Sequence, residues 1–242
     1  MIPGWVLLLA AGVLLASYLV AEGGLHRRGD RWPVPRTGAA VAAAVAWAVA
    51  GLWPVRGAVD DVVVHLLVTM AAPVLLALSA PVSLALRTVP PRLRGLLVRA
   101  LHLHWSRVVT WLPVATALEV GGLYLYYLVP VPPSVHGLLM VHMVAAGWLF
   151  ATVLVGPDPV PHRPVLAARA VALLTVFAAH DVLAKLLHAR GGGAAAELLF
   201  YGGDVVELLT AVALFGRWYR RSRPRPVGRP PRPGAVRDRA TR

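Results

Sequence analysis

Long apolar blocks alternate with short polar connections along the chain, and each block runs to about 20 residues, the length that carries an α-helix across a hydrocarbon core. The pattern predicts spans at 4–21, 37–54, 62–86, 107–129, 134–155, 166–188 and 197–216. The expected fold class is therefore all-α, a polytopic membrane protein built as a seven-transmembrane-helix bundle over residues 1–216. Short connections leave no room for a separate soluble domain. Pro73 and Pro81 fall inside the third span, where each removes a backbone donor and can bend the helix.

The formal charge of +13 could suggest a nucleic-acid binder, but the arginines sit in the connections and the tail. Arg27, Arg28, Arg31 and Arg36 follow the first span, Arg87, Arg92, Arg94, Arg99 and Arg107 the third, and Arg163 and Arg169 the fifth. The other connections are nearly bare, with Arg56 after the second span and Arg190 after the sixth. This asymmetry predicts an N-terminus outside and a C-terminus in the cytoplasm, with the lipid bilayer rather than nucleic acid as the partner of the basic residues. The tail, 217–242, holds ten arginines and five prolines and almost nothing apolar. It is expected to be a disordered cytoplasmic segment lying on anionic lipid. The first span could alternatively be a cleaved signal peptide, although it lacks the basic n-region of such a signal.

Composition narrows the chemistry further. With 58% hydrophobic residues, a mean hydropathy of +0.67 and no cysteine, disulfides, thiolate metal sites and cysteine nucleophiles are excluded. Any metal must be held by His, Met or carboxylate. Five of the nine histidines, His65, His136, His142, His180 and His188, lie in or at the ends of apolar segments, and the predicted topology puts all five in the outer half of the membrane. An ionisable group at such a position is a functional-site hypothesis by default.

Helical spacing pairs Asp61 with His65, His136 with Met140, and Met140 with Met143. Asp181 and Lys185, four apart and opposite in sign, are expected to form a structural ion pair. Asp204 should lie in the outer half, within reach of the histidines, while Glu119 and Glu207 sit deeper. Neutral imidazole is a common metal ligand and Met thioether favours reduced copper. A glycine-rich phosphate cradle is absent, because no strand precedes Gly191-Gly-Gly193 and no Lys-Ser/Thr follows. With no triad or paired-carboxylate motif either, an enzyme is not expected.

Three stretches carry a family resemblance. His65-Leu-Leu-Val-Thr-Met70-Ala-Ala-Pro73 runs on to Ala80-Pro81-Val82, and His142-Met-Val-Ala-Ala-Gly147-Trp-Leu-Phe150 is followed by Gly156-Pro-Asp158-Pro159. Ala179-His180 is joined by Gly202-Gly203-Asp204 and Glu207. Together, over about residues 58–220, these resemble the membrane-integral cytochrome c oxidase assembly factors of the CtaG type, found with bacterial haem-copper oxidases. Where that pattern has a second histidine one turn before His65 this chain has Asp61, and where it has His-x-His this chain has Met140-x-His142.

The resemblance implies a multi-pass protein of the bacterial plasma membrane that binds or delivers copper for maturation of the oxidase copper centre. Its implied partners are a cytochrome c oxidase subunit and an extracytoplasmic copper carrier. Spacing and resemblance together single out His65, His142 and His180 as copper ligands, with Asp61, His136, Met140 and Asp204 as secondary or entry-site groups. Two other readings fit the same residues: a membrane b-type cytochrome with His142 and His180 as axial haem ligands, and a proton-coupled transporter using Glu119, Asp181 and Glu207. The second finds no internal repeat in its favour.

Overall fold

The computed structural model describes residues 2–222. Among the described residues every regular element is helical. Helices α1 (Gly4–Arg27) and α2 (Val34–Leu52) lie against each other. Gly4 and Gly51 meet so closely that a Cβ on Gly51 would stand 2.7 Å from the Gly4 carbonyl oxygen. On its buried face α2 presents Ala40, Ala43, Ala44, Ala46 and Ala50. In lipid, apolar burial does not drive helix association, so close approach through small side chains does the work.

Helix α3 (Ala58–Ser79) carries a π-helical turn over Leu66–Ala71 just before Pro73. In that register an N–H reaches back five residues, as Ala72 does to the Leu67 carbonyl. Pro73 has no N–H to offer Val68, and the Trp47 Nε1–H donates to the Val68 carbonyl instead, at 3.4 Å.

The third predicted span does not continue to residue 86. It ends at Ser79, and after Ala80, in the left-handed region at φ 59°, a separate helix α4 (Pro81–Thr88) begins. Proline disfavours the right-handed helical region for the residue before it; Ala80 leaves that region before Pro81, whereas Ala72 stays in it before Pro73. Several of the groups freed at the break are held. The Ser79 carbonyl accepts from the Tyr18 hydroxyl at 2.7 Å, and the Val82 and Ser83 N–H groups donate to the Asp158 carboxylate at 3.1 and 2.7 Å. Arg163 in turn donates to the Gly156 and Asp158 carbonyls, both at 2.7 Å.

Helices α5 (Pro91–His102) and α6 (His104–Val109) bury no residue. The fourth apolar helix, α7, covers only Leu112–Leu128, starting after extended Trp111 with Pro113 in its first turn. Residues 107–111, assigned from the sequence to that span, belong to the preceding short helix and its exit. Helices α8 (Pro133–Leu154), α9 (Leu166–Leu187) and α10 (Gly193–Ser222) complete the chain.

Among the described residues five helical stretches are long and apolar enough to cross a membrane: Gly4–Arg27, Val34–Leu52, Ala58–Ser79, Val135–Leu154 and Leu166–Ser222; Leu112–Leu128 is apolar but shorter. The 57-residue stretch is not one rod. It turns at Gly191 (φ 89°) and Gly193 (φ 47°), and its arms α9 and α10 pack together. Helix α10 runs on to Ser222, past the predicted end at 216, and residues 223–242 of the predicted tail lie outside the described residues. The largest core cluster joins Leu112, Phe150, Leu154, Leu173 and Leu214 from α7, α8, α9 and α10.

Candidate functional site

A second, polar interior lies where α3, α7, α8, α9 and α10 converge. A cavity of about 20 Å³ is lined by His65, Met70, Glu119, Met143, His180 and Glu207 among others, which is room for roughly one water-sized occupant. A neighbouring space of about 40 Å³ shares Met70, Glu119 and Glu207 with it and is again on the scale of one or two waters.

The two histidines in this cavity are held in the same tautomer by different means. The Thr69 hydroxyl donates to the His65 carbonyl at 2.9 Å, so its oxygen is left to accept from His65 Nδ1, 3.0 Å away. That network assigns the proton to Nδ1 and leaves Nε2 with a free lone pair. His180 Nδ1 lies 3.2 Å from Glu207 Oε1, close enough for an ion pair or a charge-assisted bond but too poorly aligned to satisfy the carboxylate. A carboxylate beside Nδ1 favours the same tautomer. Consequently His65 Nε2 and His180 Nε2, together with both Glu207 oxygens and Glu119 Oε2, have no hydrogen-bond partner.

Each ring is given space or support by a neighbouring helix. Any Cβ on Gly203 would collide with the His180 imidazole, so α10 approaches α9 there only because residue 203 lacks a side chain. His65 sits edge-on to Tyr127, with ring centroids 5.3 Å apart, and stacks at 6.1 Å on Tyr126. The π turn of α3 starts at the next residue, Leu66, and such turns recur at functional positions.

The remaining predicted residues divide into three groups. Asp61 and His136 stand toward the Ala58 end of α3, both against Tyr126: the Tyr126 hydroxyl donates to the Asp61 carboxylate at 3.2 Å, and its ring lies 5.0 Å from that of His136. Through Tyr126 and Tyr127 this pair is continuous with His65. Met140 is buried in an apolar cluster with Val64, Tyr126 and Met143, one turn from the cavity-lining Met143. His142 is turned away from the cavity, with its Nε2 3.3 Å from the Leu118 carbonyl and its ring against Gly122.

Asp204, half-buried, faces Asp181 rather than the cavity. The predicted ion pair between Asp181 and Lys185 does not form. Both side chains turn toward α10, where Lys185 lies over the Phe200 ring at 5.2 Å and Asp181 faces Asp204 one turn further along.

Sequence reasoning assigned no role to Thr69 and Met70, and it left Glu119 and Glu207 as deep carboxylates without partners. For Glu207 the available signal was Gly203 one turn earlier, a small residue where a bulky neighbour must enter. Among the described residues no three His, Cys, Asp or Glu side chains come together as a metal cage. The cavity is instead lined by two imidazoles and by Met70 and Met143, residue types that together suit a soft cation such as monovalent copper.

Comparison with known proteins places the chain in context. Residues 16–194 match the model of a family described as cytochrome c oxidase caa3 assembly factor. An uncharacterized protein of Mycobacterium bovis and another of Mycobacterium tuberculosis are each 35% identical to it over 193 residues, 71% of this chain and 29% of the relative. An uncharacterized protein of Mycobacterium leprae is 31% identical over 69% of this chain and 28% of its own length. The chain thus spans less than a third of the curated relatives it matches. No solved structure matches it.

Proposed function

The chain belongs to the cytochrome c oxidase caa3 assembly factor family, and we propose on that premise that it is a seven-span protein of the bacterial plasma membrane that holds monovalent copper as cargo for the oxidase. In this reading the N-terminus is outside and the C-terminus cytoplasmic, as the arginine distribution favours. The seven spans are the five long apolar stretches, with the longest counted as its two arms, and Leu112–Leu128.

The observation that carries the copper reading is the pair of unpartnered nitrogens, His65 Nε2 and His180 Nε2, in one small cavity also lined by Met70 and Met143. Buried polar atoms are normally satisfied, and these four residues are of types that suit a soft cation. Glu207 supplies a compensating negative charge beside His180, and Thr69 and Glu207 keep both imidazoles in the ligating tautomer. The cation would enter past Asp61, Tyr126 and His136 and leave by exchange of ligands, with no covalent step. A cytochrome c oxidase subunit is the recipient the family implies, and an extracytoplasmic carrier the donor.

The haem reading fits less well, because a cavity of about 20 Å³ is far below the roughly 300–1,000 Å³ of pockets for cofactor-sized ligands. His142, one of its two proposed axial ligands, faces the Leu118 carbonyl.

Metal analysis of detergent-purified protein loaded under reducing conditions tests the proposal. Wild type should retain about one copper per chain, the His65→Ala/His180→Ala double variant none, and His142→Ala the wild-type amount, as the donor set requires. Equal copper in wild type and double variant would reject the site. Loss in His142→Ala alone would move it.

A further inference from the structure

A groove of about 920 Å³ runs between α7 and α9, far larger than the histidine cavity. Its walls are apolar and small, including Ala117, Val120, Ala168 and Val171, and no carboxylate lines it. At its mouth stand Arg107, His162 and Arg163. Trp105 and Trp111 flank that mouth, 71% and 63% exposed, as tryptophans do at the level of lipid headgroups.

The length of the groove matches half a bilayer. From the start of α9 at Leu166 to Thr175 at the inner end is nine residues, about 14 Å of helix rise, against a hydrocarbon core of about 30 Å. Val171 and Thr175 are exposed, so the groove opens sideways along its length, and it stops at Val120, which also lines the histidine cavity.

We propose that this groove is a binding site for an anionic phospholipid. One acyl chain lies along α7 and α9 within a single leaflet, and the phosphate sits on Arg107, His162 and Arg163. Basic pockets between membrane helices recognise lipid headgroups in this way. The Arg163 guanidinium is held in place by its bonds to the Gly156 and Asp158 carbonyls, so one part of the headgroup site is preorganised. A partner's transmembrane helix is the less suitable occupant. It would have to bring an acidic group to the rim, whereas an anionic lipid carries one at the right depth.

Native mass spectrometry of the full-length protein, released from micelles doped with phosphatidylglycerol or phosphatidylcholine, tests this. Phosphatidylglycerol should be retained preferentially, and Arg107→Gln should weaken that retention about fivefold, the effect of one cation near the surface. Ala117→Phe, on the exposed face of α7, should expel lipid without changing the thermal unfolding midpoint. Thr175→Phe fills the same groove from α9 if the first variant does not fold. Equal retention of the two lipids, or unchanged retention with the groove filled, overturns the proposal. So does displacement by millimolar inorganic phosphate, which would mark a bare anion site. A photo-crosslinker at position 117 that captures a polypeptide instead of lipid in native membranes overturns it in favour of a helix.

Discussion

Two clusters of buried polar groups lie in this apolar bundle, and they differ in whether their hydrogen bonds close. Around Asp158, 1% exposed, the carboxylate accepts from the Val82 and Ser83 N–H groups while Arg163 holds the Gly156 and Asp158 carbonyls. Around His65 and His180, equally buried at 1% and 2%, both Nε2 atoms and Glu207 Oε2 remain without partners, while Glu207 Oε1 has only the His180 ring beside it. Burial alone therefore does not separate a structural polar cluster from a binding site. Open nitrogens on a shared cavity add to burial, because an unsatisfied buried atom carries a cost that a bound water or cation would offset.

The difference can be tested from both sides. The largest effect should come from Asp158→Ala, which leaves the Val82 and Ser83 N–H groups of α4 unpaired while Arg163 keeps its bonds to the backbone carbonyls of residues 156 and 158. Unfolding of the detergent-solubilised protein should become easier by about 3 kcal/mol, as when a buried charged partner is removed, while copper retained per folded chain stays the same. A loss of copper with unchanged stability would erase the distinction between the clusters.

Gly203→Ala should cost about 2 kcal/mol, because the added methyl drives into the His180 ring and overpacking carries that order of penalty. It should also lower copper binding by moving the ring, and unchanged binding would show that the cargo does not depend on where the His180 ring sits. Glu207→Gln should be milder for folding and specific for the cargo. Copper affinity, read by competition with a chromophoric chelator, should fall about tenfold, the usual effect of removing a carboxylate behind a ligating imidazole. An unchanged affinity would reduce Glu207 to a structural group.

Part of this arrangement is readable in the chain and part is not. His65 and His180 stand out because an imidazole in an apolar block is rare, and Pro73 and Ala80-Pro81 announce the bent helix. The pairing of His180 with Glu207 across α9 and α10 is not readable, because it depends on how two helices rotate against each other once Gly203 lets them close. The same packing gives Asp181 and Lys185 different partners on α10, Asp204 and the Phe200 ring, in place of each other. His142 has the spacing of a ligand, yet its ring goes to the Leu118 carbonyl, since Gly122 leaves room on that side. The motif Gly156-Pro-Asp158-Pro159 looks like part of a functional signature, and its work is to cap α4.

Hydropathy and composition along the chain decide which segments are apolar enough to enter lipid and that a metal site here must use histidine, methionine or carboxylate. Those are local properties, set by each residue's transfer between water and hydrocarbon and by its side-chain chemistry. Which donors share a cavity was decided only by packing. Helices in a membrane associate through shape, and the small residues that allow close approach determine which of several histidines face one another.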